Sequence, residues 1–181
     1  IDHIQDWLEL SNHGKFLEAQ DLYNSKILPN VIELFASKYS QVLNEDELLI
    51  SILGFSPEPI ILTAFAMKPK KRLILSTGKN LKAESTLSNY LKESYELIRV
   101  TNESFSSIYA SLKEQMKKHS YSKIVIDITG GKKSMVASAA IFAKDKACKL
   151  VYVDFAEYLQ ELRKPKPGTE ILNLVYDPNR D

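Results

Sequence analysis

The chain has 181 residues, 44% of them hydrophobic and 26% charged, with a formal net charge of +1. That length suits one domain, or one domain with a small appendage, and that composition excludes a disordered chain. A near-neutral balance also excludes a global basic field able to hold long nucleic acid, so an anionic ligand would have to be met by a local cluster.

Residues 1–45 read as helix and are taken as an N-terminal extension or connector. Ile4, Trp7, Leu8 and Leu10 make a first apolar face, and Phe16, Leu17, Leu22 and Tyr23 continue it after a break at Asn12-His13-Gly14. Pro29 suits the first turn of a further helix bearing Val31, Ile32, Leu34, Phe35 and Tyr39. No chemistry-bearing constellation lies here. The segment is expected to pack on the body, to serve a dimer, or to connect to something upstream.

Residues 46–181 form the second region, where strand and helix patterns alternate. Leu48–Leu53 is a buried strand closed by Gly54-Phe55-Ser56-Pro57, and a helix follows with Ile60, Ile61, Ala64, Phe65 and Met67 as its buried side. Arg72–Thr77 is the second strand, closed by Gly78-Lys79-Asn80, before a helix with Leu81, Leu87, Tyr90 and Leu91. Tyr95–Val100 is the third, and Asn102 or Ser104 caps a helix carrying Phe105, Ile108, Tyr109, Leu112 and Met116. Ile124–Ile128 is the fourth, Lys149–Phe155 the fifth and Glu170–Val175 the sixth. The connection 156–168 is too short for a full crossover helix, so the sixth strand is expected at the edge and antiparallel. The pattern predicts an α/β, Rossmann-like fold: a mostly parallel twisted sheet of about six strands with helices on both faces.

The most informative stretch is Asp127-Ile-Thr-Gly-Gly-Lys-Lys-Ser-Met135. A buried strand runs into paired glycines and then into a helix. Glycines let backbone approach a ligand without a Cβ in the way, and the free N–H groups of a helix start favour anions. Lys132 and Lys133 add positive charge at that place. Read alone, the glycines could equally make a tight turn and the lysines could be solvated. Right-handed crossovers, however, put the turns after strands one, two and four on one rim, at the carboxyl ends of the strands. Gly54-Phe55-Ser56, Ser76-Thr77-Gly78-Lys79-Asn80 and Thr129 through Ser134 would then face one ligand.

Other chemistries fit poorly. A Walker loop needs a glycine where Ile126 stands and a Ser or Thr where Lys133 stands. The first turn has no Gly-x-Gly-x-x-Gly. His3, His13 and His119 are far apart in sequence, so no metal or other cofactor is expected. Cys148 reads as a small buried hydrophobe, consistent with a reducing cytoplasm. Lys68–Arg72 is expected to be a solvated turn, while Arg163–Lys166 is a candidate lid. The longest apolar runs fall short of the roughly 20 residues that a membrane helix needs. The sequence opens on Ile1 within a helical pattern, so an upstream element is expected.

From Leu48 to about Pro178 the chain resembles the CARF domain, the CRISPR-associated Rossmann fold. The resemblance rests on Asp127-x-Thr129-Gly130-Gly131-x-Lys133-x-Met135, supported by Gly54 through Pro59 and by Ser76-Thr77. It implies a homodimer, or a higher oligomer, whose joined pockets bind a cyclic oligoadenylate made by type III CRISPR complexes. The four-membered ring, cyclic tetra-adenylate, is the favoured ligand. Gly130 and Gly131 amides, the Thr129 hydroxyl and Lys133 would hold phosphate or ribose. Ser76, Thr77 and Asn80 would read sugar or base edges, and Phe55 would stack or else pack in the core. Gly54, Ser56, Gly78, Lys79, Asp127, Lys132 and Ser134 complete the implied site.

The resemblance implies a sensor in antiviral defence with no catalytic residue. The rival is a ring nuclease positioning a ribose 2′-hydroxyl with Lys133, Thr129 and Ser76, although no general base is evident. CARF proteins usually carry an effector, and none is visible in the sequence. The expected output is therefore an upstream element, a membrane-spanning helix being one economical candidate. The protein would then be cytoplasmic, tethered to the inner face of the cell membrane through a segment absent from this chain.

Overall fold

A computed structural model describes residues 1–181. The N-terminal region holds α1 (Ile4–Asn12), α2 (Phe16–Leu22), a π-helical turn (Tyr23–Ile27) and α3 (Leu28–Tyr39). The rest runs β1 (Leu48–Ile52), α4 (Glu58–Met67), β2 (Lys71–Ser76), α5 (Leu81–Leu91), β3 (Glu96–Arg99), α6 (Phe105–Lys118), β4 (Ile124–Asp127), α7 (Lys133–Lys146) and β5 (Lys149–Phe155). A small hairpin, β6 (Tyr158–Leu159) with β7 (Lys164–Pro165), precedes β8 (Glu170–Tyr176).

The principal sheet has six strands in the order β3-β2-β1-β4-β5-β8. Its first five strands are parallel, and β8 pairs antiparallel with β5 at the edge. The Rossmann-like expectation is therefore met, including the direction of the last strand. The chain winds outward from β1 through β2 and β3, then returns to β4 on the other side. The switch point lies between β1 and β4, whose carboxyl ends leave room for a cleft.

Two cores flank the sheet. On one face, Ile50, Leu73, Ile126 and Leu150 pack against Ile108 and Leu112 of α6 and Phe142 of α7. Cys148 is buried there, and burial pushes its thiol up to about 11, which suits a packing residue. On the other face, Leu49, Ile74, Val125 and Val151 share one core with Ile60 and Ile61 of α4 and with Trp7, Leu28, Val31 and Phe35 of the N-terminal helices.

This second core explains where the helix periodicities misled. α4 was expected to bury one side, yet Ile60 through Ala64, Ala66 and Met67 are all buried. The sheet covers one side and α3 the other, and a helix covered on both sides needs no polar stripe. Phe16 and Leu17 were expected inward but are 70% and 78% exposed; the phase that turns Ala19 inward turns Leu17 out, and Phe16 opens the helix. Leu81 likewise opens α5 and is exposed. Pro29 sits in the first turn of α3, as expected, although no break precedes that helix. The helical path continues from α2 into α3, and the π turn just before Pro29 takes up the mismatch that a ring without an N–H imposes. Ser104, not Asn102, accepts the capping bond, from the Ser107 amide.

Candidate ligand cleft at the switch point

The rim is built by glycines first. A Cβ on Gly54 would stand 1.5 Å from the Gly130 carbonyl oxygen, and one on Gly130 would stand 2.8 Å from the Ile52 carbonyl oxygen. The turns after β1 and β4 therefore touch backbone to backbone, which only glycine allows at these two places. Asn80 ties in the third turn. Its Nδ2 donates to the Gly54 and Phe55 carbonyls at 3.1 and 2.9 Å, while its Oδ1 caps α5 by accepting from Ala83 N–H.

Several implied site residues spend their polar groups inside the protein. Asp127 is 1% exposed, and its carboxylate accepts from the Thr129 amide and hydroxyl and from the Thr63 hydroxyl. Burial raises its pKa, against the pull of those hydrogen bonds. The Thr129 Oγ1 also accepts from Val153 N–H at 2.8 Å, so this hydroxyl joins the turn to β5. Ser76 is buried; it donates to Glu84 at 2.8 Å and accepts from Gly78 N–H. Arg99 grips the same Glu84 with two bonds of 2.7 and 2.9 Å and holds its carboxyl below the ordinary range. Asp127, Ser76, Asn80 and Thr129 thus shape the rim.

Other groups remain available. α7 begins without a side-chain cap, and the amides of Gly130, Lys133 and Ser134 donate to no group of the protein. Lys133, exposed at the first position of α7, has no ion-pair partner. Ser56 and Phe55 are exposed, Phe55 at 79%. Lys79 and Lys132 are engaged instead by one carboxylate: Glu103 takes them at 3.1 and 3.0 Å, and both lysines hold its pKa down, Lys132 foremost. Lys132 also stands over the Phe55 ring, 5.9 Å from its centroid. Ser134 Oγ donates to the Glu103 carbonyl at 2.7 Å.

Two spaces result, which share Phe55 and Asn80 in their walls. A cleft of about 640 Å³ is lined by Phe55, Ser56, Asn80, Thr129, Gly130 and Gly131 on the rim side. A smaller space of about 190 Å³ lies among Gly54, Ser76, Thr77, Lys79, Glu103 and Lys132. The glycine turns and their neighbours are brought together as the topology required. Asp127, Gly78, Lys133 and Ser134 line neither space.

The cleft also has a wall that sequence reasoning missed. Trp7, Gln20, Tyr23 and Asn24 close it from the N-terminal helices, Glu58 from the first turn of α4, and Arg163, Lys164 and Pro165 from the hairpin. Only the lid suggested for Arg163–Lys166 pointed there, because helical periodicity says nothing about which distant element a helix meets.

This is a Rossmann-like α/β domain with an open, amide-lined cleft at the switch point of its sheet. A family model described as the Card1 CARF domain matches residues 59–173, well over half of the chain. The chain belongs to the CARF domain family. It is 26% identical over 167 residues to the CRISPR system endoribonuclease Csm6 of Thermus thermophilus, covering 88% of this chain and 36% of that protein. The fold also matches that of Can2 from Sulfobacillus thermosulfidooxidans, solved in complex with cyclic tetra-adenylate. That match has a TM-score of 0.51 at 16% identity and covers 68% of this chain and 33% of the other. The chain therefore spans about a third of the length of each of these two proteins.

Proposed function

We propose that this chain is the sensor domain of a type III CRISPR effector. It would bind a cyclic oligoadenylate, cyclic tetra-adenylate by preference, across a two-fold homodimer, and ring binding would switch the effector joined to or assembled with it. The observation that carries this reading is the uncapped start of α7, where the amides of Gly130, Lys133 and Ser134 and the side chain of Lys133 have no partner in the protein, next to the switch-point cleft that Gly130 lines. Such a site favours phosphate through partial charge and hydrogen bonding together. The structural likeness to a protein solved with cyclic tetra-adenylate supports the choice of ring. A ring of repeated phosphates suits a site duplicated by symmetry. Tyr152 and Ile171 are part-exposed on the sheet face that α7 leaves uncovered, and exposed Ile141 lies on α7 itself. Those residues offer apolar surface for a partner copy.

Calorimetric titration with rings of three, four and six adenylates tests the reading. The four-membered ring should bind most tightly, with affinity falling as salt rises. Lys133→Ala should weaken it about tenfold through loss of one charged phosphate contact. Absence of binding by any ring would overturn the proposal, and linear products after incubation would replace the sensor by a nuclease.

A further inference from the structure

The π-helical turn leaves one backbone group without a helical partner. Leu28 N–H passes by the Asn24 carbonyl and donates to the Tyr23 carbonyl, one residue further back. The next residue, Pro29, carries no N–H. Neither donor that an α- or π-helical register would offer reaches Asn24, and a carbonyl left unpaired in a packed layer is costly. Tyr90, on α5, supplies the missing bond, its hydroxyl donating to the Asn24 carbonyl. Burial first, and the Glu58 charge second, hold that hydroxyl above its ordinary range, so it keeps the proton it donates. The Asn24 side chain is fixed as well, its Oδ1 accepting from Gln20 Nε2 at 3.0 Å.

The same α5 is tied to the glycine rim at its other end. Asn80 caps the helix, accepting from Ala83 N–H, and holds the Gly54 and Phe55 carbonyls. α5 therefore runs about 16 Å between two polar anchors, Asn80 on the rim and Tyr90 on the N-terminal helices. Between them Ala83 and Thr86 line the cleft, and Tyr90 stands one turn beyond Thr86 on the same helix face. Gln20 and Asn24 line the cleft from the N-terminal helices. Leu87 and Leu91 are buried in the core beneath, which seats the helix along its length. A rigid element bonded at both ends carries a displacement from one end to the other.

We propose that α5 is a strut coupling the rim to the N-terminal helices, with the Tyr90 hydroxyl as the latch that replaces the N–H that Pro29 lacks. Tyr90 is a positioning residue, acting on a ligand only through the wall it holds. The cyclic oligoadenylate reading supplies the ligand for one arm of the test, and the other arm needs none.

Amide hydrogen exchange is read in the full chain and in Tyr90→Phe, Pro29→Ala and the double variant, each shown by melting curves to be folded. Without ligand, Tyr90→Phe should speed exchange of residues 16–27 about tenfold, the size expected when one buried carbonyl loses its partner. Pro29→Ala returns a backbone N–H to the helix, so in that background Tyr90→Phe should change exchange by less than about twofold. An equal effect in both backgrounds overturns the latch. A strut carries the loss to its far end, so the Ala83 amide held by Asn80 should also exchange faster in Tyr90→Phe; an unchanged Ala83 overturns the strut. With saturating cyclic tetra-adenylate, the wild-type chain should slow exchange of residues 16–27 about tenfold. Tyr90→Phe should keep ring affinity within about threefold and lose most of that protection. Full protection in Tyr90→Phe also overturns the strut, because direct contact with the ring then accounts for it. If no ring binds, the function proposed above falls alone, and the ligand-free arm decides both latch and strut.

Discussion

Glu103 holds the two rim lysines that a phosphate would otherwise attract. Its carboxylate joins Lys79, from the turn after β2, to Lys132, at the start of α7. A ligand phosphate arriving at this rim competes with that carboxylate for the same cations, so Glu103→Gln should raise ring affinity about three- to tenfold and steepen its salt dependence. Titration of the variant at two ionic strengths checks it; unchanged or weaker binding would mean that the bridge only shapes the rim. Glu58 gives a second consequence, in stability. Burial raises its pKa above the ordinary 4.5, so the fold disfavours the ionised form. Its favourable contribution is full below the unfolded value and is lost as pH rises through the raised folded value. Glu58→Gln removes the charge and should raise Tm by roughly 2–4 °C at neutral pH. The gain should vanish near about pH 4, where the native carboxyl is already protonated, and melting curves across that range read the sign directly.

At the scale of elements, α4 is the hinge of the packing argument. It lies between the sheet and α3, which is why almost every residue on it is apolar and buried. Phe35, 2% exposed on α3, belongs to the core that joins the two layers. Phe35→Ala should cost about 3–5 kcal/mol in denaturant unfolding, the range for emptying an aromatic core position. If α3 were a loosely attached connector, the loss would be far smaller. The π turn and Pro29 belong to the same logic. An extra residue in the helical turn lets one helical path run on from α2 through Pro29 into α3.

At the scale of the molecule, the cleft exists because the winding direction reverses between β1 and β4, leaving their carboxyl ends uncovered. That opening is shared by many α/β folds, and what singles this one out is the backbone contact of Gly54 with Gly130 and the free amides that follow. The proposed dimer is testable apart from the ligand: sedimentation equilibrium should show a two-chain species, and Ile141→Glu should shift it toward monomer. A monomer at all concentrations would remove the two-fold from the reading. No helix is long and apolar enough to cross a membrane.

The sequence by itself determined the six strands of the principal sheet, their order of alternation with helices, the antiparallel edge and the three turns that meet on one rim, but not the small β6–β7 hairpin. Period-two and period-3.6 patterns, proline positions and paired glycines are local signals, and they survive without a partner. Asp127-Ile-Thr-Gly-Gly carried the family resemblance for the same reason, since the turn it makes is set by residues adjacent in the chain. Only the tertiary structure decided that α4 is buried all round, that Ser76 and Asp127 face inward, that Glu103 bridges two lysines from different turns, and that Trp7 and Glu58 share a wall. Each of these depends on contacts between residues distant in sequence, whose polar partners and neighbours exist only once the layers have closed.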